Sequence, residues 1–137
     1  MEFIYRIDKA NRIVYLEGDD PGLELWRKTL LAVFADPEFE TGFNFLSDRR
    51  SASEARSSDY LKAALSFLKY HENELGRCKW ATVVSTMAAF GMGRMTQILS
   101  ENLSVQIEVF KDIDEARDWL LLTQTDTNEF DDTITGD

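Results

Sequence analysis

Trp80-Ala81-Thr82-Val83-Val84 is a short apolar run with no charge in it, and its reading decides the fold. Such a run is too short for a helix buried all round. It suits a strand covered on both faces, which is the environment of a central strand in a parallel sheet. Working outward, Phe43-Asn44-Phe45-Leu46 and Val105 to Phe110 read as further strands. The segments between the strands change period. Leu61, Ala64, Leu65 and Leu68 share one helical face, and a further helix carries Phe90, Met95, Ile98 and Leu99. Before them, Leu23, Trp26, Leu30, Val33 and Phe34 mark a helix that Asp36-Pro37 should end, with Asp20 as its cap and Pro21 in its first turn. After them, Asp112, with Glu115 three residues on, predicts a capping pair for a last helix that buries Ile113, Ala116, Trp119 and Leu120.

At the start of the chain, Phe3 to Ile7 and Ile13 to Leu16 are strand-like, with a short polar connection between them, so they should pair as an antiparallel hairpin. The expected order is β-β-α-β-α-β-α-β-α. That is an α/β fold with a mixed, mostly parallel sheet and right-handed crossovers. Residues 1–122 form one domain on this reading. Residues 123–137, with five carboxylates and no basic residue, read as an acidic disordered tail.

Composition bounds the function. The chain has 137 residues, 44% of them hydrophobic, and a net charge of −10. That balance argues against nucleic acid, whose phosphates reward Lys and Arg, and against anionic membrane surfaces. No apolar run is long enough to cross a bilayer and the first residues do not resemble a signal peptide, so a cytoplasmic location is expected. The lone Cys78 cannot form an internal disulfide. One His and one Cys, far apart, give no basis for a zinc site, and no carboxylate pair stands out as acid and base. No cofactor and no catalytic residue are expected. His71 is read as standing on a polar helix face.

The element order is similar to that of STAS domains, the family of the bacterial anti-sigma-factor antagonists. Ala81-Thr82-Val83-Val84, Phe90-Gly91-Met92-Gly93-Arg94-Met95 and Val109 through Leu120 resemble the SpoIIAA-like group of small bacterial proteins within that fold. The resemblance implies the STAS architecture, a relation in shape to CRAL-TRIO lipid carriers, and a regulatory, protein-binding role without catalysis. Antagonists of the switching type carry an Asp-Ser-Ser-Gly-like turn with a phosphorylated serine. Ser57-Ser58-Asp59-Tyr60-Leu61 keeps the serines but lacks the preceding Asp and the following Gly. Ser57 and Ser58 are therefore candidates for a phosphorylation or partner site, and for a plain helix cap.

Ligands of open α/β sheets favour the carboxyl ends of the parallel strands. Asp48, Arg49, Arg50, Ser85, Thr86, Arg94 and Lys111 map to that end. Four basic side chains gathered there would suit an anion or an amphipathic, lipid-like head group. The plainer expectation is that Asp48 pairs with an arginine while the rest face water. Gly91-Met92-Gly93 is not a dinucleotide fingerprint, because Thr96 stands where the third glycine belongs. Close helix packing explains it better. Trp26, Phe34, Phe67, Phe90, Met92 and Met95 read as core. A protein partner, a small anionic or lipid-like ligand and a homodimer are the partner classes left open.

Overall fold

The computed structural model describes residues 3–18, 22–51 and 56–122. The acidic tail, and Asp20 and Pro21 before the first helix, lie outside them. Five strands make one sheet in the order β1-β2-β3-β4-β5: β1 (Phe3–Asp8), β2 (Ile13–Gly18), β3 (Asn44–Asp48), β4 (Cys78–Val83) and β5 (Val105–Phe110). The hairpin β1-β2 is antiparallel and the other three pairings are parallel. The strands follow one another in sequence order, so the sheet has no point at which strand order reverses. The helices are α1 (Leu23–Ala35), α2 (Ser58–Tyr70), α3 (Glu72–Leu75), α4 (Met87–Leu99) and α5 (Ile113–Leu121). The short α3 is an addition to the expected order. Its end is set by Gly76 at φ 68°, a conformation that suits glycine.

Alternation along each strand sorts the core into two layers. Val14, Leu16, Phe45, Trp80 and Ile107 face α1 and α2, and Phe45 stacks on Trp80 at 4.4 Å between ring centroids. Ile13, Tyr15, Leu46, Ala81 and Val83 face α5 on the other side. Burying one of these large side chains stabilises the fold by about 1.5–3 kcal/mol. The continuous run at Trp80 is thus apolar because both faces are covered. At the amino-terminal end of the parallel strands, Asn44 joins the layers. It donates to the Leu120 carbonyl and accepts from the Lys79 backbone. Lys79 Nζ then donates to the carbonyls of Trp119 and Leu122, placing a cation at the carboxyl end of α5.

Three expectations are corrected. Met95 is exposed, not core, and Ile98 and Leu99 are exposed with it, because α4 seats itself through its other side. His71 is not on a polar face: its side chain is mostly buried between the rings of Phe34 and Phe67, with Nδ1 3.3 Å from Glu74 Oε1. The first helix is entered through Gly22, which provides no side-chain cap.

Candidate functional site

α2 and α4 come from consecutive crossovers on the same side of the sheet, and side chains of both line the cavity over it. Small residues stand among the larger ones that face it: Ala64 beside Leu61, Leu65 and Leu68 on α2, and Ala89 and Gly93 beside Met92 and Thr96 on α4. A Cβ on Gly93 would stand 2.5 Å from Val109 Cγ2, so only glycine lets α4 approach β5 this closely. What remains is a cavity of about 70 Å³ at the α2–α4 side of the sheet. Trp26, Trp80, Ile107 and Val109 give it apolar surface. Ser47, Thr82, Thr96, Arg49 and Arg56 are the polar residues of its lining.

Arg49 is 9% exposed, and its backbone N–H donates to the Val83 carbonyl at 2.8 Å, tying the end of β3 to β4. Arg56 also lies over the Tyr60 ring. Thr96 is turned partly to its own helix, since its hydroxyl donates to the Met92 carbonyl. Ser57 accepts from the Tyr60 N–H at 3.1 Å and so caps α2, and Ser58 is the first helical residue. Thr86 does the same for α4 through the Ala89 N–H. Both helices therefore have their amino ends satisfied by side chains at the carboxyl end of the sheet.

Of the seven predicted ligand residues, the cavity takes one, Arg49. Asp48 and Arg50 hold each other in a bidentate pair at 2.9 and 2.8 Å, and the Arg50 guanidinium holds the Asp48 carboxyl below its usual range. Ser85 donates to the Arg50 carbonyl. Lys111 lies over the Phe90 ring with Nζ 3.2 Å from Met87 Sδ. Arg94 is exposed on the outer side of α4. The four basic residues are therefore dispersed: one beneath the helices, one paired, one over an aromatic ring and one on the outer face.

Arg56 and Ala89 were not marked by sequence reasoning, while Gly93 was read as a point of close helix packing and Ala64 as part of a buried helical face. The available signal was Ala64, Ala89 and Gly93 on the sheet-facing sides of neighbouring helices, since missing side-chain volume there leaves space above large aromatics. Among the described residues no group of His, Cys, Asp and Glu is arranged to hold a metal ion, and no helix is long and apolar enough to cross a membrane. Cys78 is buried, which pushes its thiol up to about 12.

No protein-family model, no curated protein and no solved structure matches this chain.

Proposed function

We propose that the chain is a non-catalytic module of STAS type that binds a small amphipathic anion between α2 and α4. The observation that carries this reading is the composition of the cavity: apolar residues Trp26, Trp80, Ile107 and Val109 share its lining with two arginines, Arg49 and Arg56. Apolar walls with a few placed polar groups are the usual make-up of small-molecule sites. An arginine fork matches a carboxylate or phosphate. At about 70 Å³, the space is well below the ~300 Å³ at which drug-sized ligands are enclosed. It suits a short acyl chain rather than a whole lipid. The regulatory role implied by the family resemblance fits this site, because a ligand there would touch the two helices that face the same solvent side.

Hexanoate is a direct probe, with hexanol as its uncharged control. Amide shifts of the isotope-labelled full chain should saturate with hexanoate, centre on Ala64, Ala89 and Gly93, and be weaker with hexanol. Arg49→Gln should reduce the preference for the acid. Shifts that never saturate, or that scatter over the surface, would reject the site.

A further inference from the structure

α4 is apolar on the side that faces water. At 100° per residue its sheet-facing side carries Ala89, Gly93 and Thr96, and Ala89 is buried. The opposite side carries Met87, Gly91, Met95, Ile98 and Leu99. Met87 is 72% exposed and Ile98 67%. A helix that is hydrophobic all round belongs in an interior, so an outer stripe of this kind is a surface awaiting a cover. Methionine is also enriched at protein interfaces.

The charges around the stripe indicate what covers it. The chain carries a net charge of −10, so two copies repel in most orientations. α4 has no carboxylate and a single charge, Arg94. Glu101 follows it by two turns, in the turn that continues from the end of α4. Both are exposed, and continuing the helical spacing of α4 to Glu101 sets them on the same edge of the stripe, about 10 Å apart at 1.5 Å per residue. Among the described residues neither is in an ion pair. A two-fold axis between Gln97 and Ile98 would bring Arg94 of each copy opposite Glu101 of the other. This is the reciprocity that an isologous interface requires.

We propose that α4 is the seam of a two-fold homodimer, in which antiparallel α4 helices bury Met95, Ile98 and Leu99 and pair Arg94 with Glu101 across the axis. This surface lies on the opposite side of α4 from the cavity, and the inference does not depend on a ligand there.

Sedimentation equilibrium of the full chain tests it. The wild type should show a concentration-dependent monomer–dimer equilibrium. Ile98→Asp should be monomeric at concentrations where the wild type is dimeric, with an unchanged circular dichroism spectrum. Arg94→Glu and Glu101→Arg should each weaken the dimer by about tenfold or more, since like charges then face each other, and the double swap should restore it. A wild type that stays monomeric at every concentration overturns the proposal and leaves the stripe to a different partner. A dimer indifferent to Ile98→Asp, or a double swap no tighter than either single one, overturns it too.

Discussion

Gln97 Oε1 accepts the backbone N–H of Val109 at 2.8 Å. A side chain of α4 thus occupies a ladder position on the outer edge of β5, the last strand of the sheet. Edge strands are open to pairing with other chains, and covering one of their groups is a means of preventing it. The same bond ties α4 to the sheet at a helix that otherwise buries little. It fixes the helix over the cavity and turns Ile98 outward.

Gln97→Leu keeps the bulk but removes the acceptor, leaving a part-buried N–H without its partner. The expected loss is about 1–3 kcal/mol. Urea denaturation should show a lower midpoint with an unchanged slope, and the Val109 amide should exchange faster with solvent. An unchanged midpoint would mean that α4 is held by its packing alone.

The two glycines of α4 should respond in opposite directions. A Cβ at Gly93 meets Val109 at 2.5 Å, whereas a Cβ at Gly91 meets nothing within 4 Å. Gly93→Ala should destabilise by about 1–3 kcal/mol through overpacking. Gly91→Ala should stabilise by about 0.5–1 kcal/mol, because alanine is the better helix former. Thermal unfolding of both variants decides it, and shifts of the same sign would contradict the close approach of α4 to β5.

Asp48 should contribute to the acid limb of stability. Its carboxyl is held below the ordinary value of 3.8, first by the Arg50 side chain. A carboxyl depressed in the folded state stabilises above its unfolded pKa, and that stabilisation is lost as pH falls through 3.8 towards the folded value. Asp48→Asn should therefore be less stable at pH 7, by under about 1 kcal/mol for a pair whose arginine is about half exposed. The gap to wild type should close below about pH 4. Asp8, Asp36 and Glu72 are also depressed, but they are common to both proteins and cancel in the difference. A gap that persists at pH 2.5 would assign the effect to packing.

Cys78 should be inert in the native protein. Burial pushes its thiol up to about 12, and the thiolate is the reactive form. Ellman's reagent at pH 8 should label it only at the rate of unfolding, and promptly in 6 M guanidinium chloride. Because the folded pKa is raised, the matching stability is complete below the unfolded value of about 8.5 and declines as pH climbs from there towards 12. Fast native labelling would show that the entry to β4 opens readily.

Much of this was legible in the sequence, because the signals were local. The alternation of Phe3 to Ile7, the two-sided apolar run at Trp80 and the side-chain caps at Ser57 and Asp112 depend on neighbours within a few residues. They determined the mixed sheet, the element order, apart from the single turn of α3, the end of α1 and the starts of α2 and α5. The pairing of Asp48 with Arg50 belongs here as well, since the two are two residues apart.

What only the tertiary structure decided is which way each element turns. Periodicity shows which residues share a helical face, but it selects the buried face only when the two faces differ in polarity. On α4 they do not, so Met95 reads as core by spacing. The sheet chose otherwise, because Val109 leaves room for a glycine and not for a larger residue. That one steric choice buried Ala89, opened the space beneath α2 and α4, and sent Arg94 to the outside. The separation of Arg49 from Arg94 follows from contacts between residues far apart in the chain, which no local pattern records.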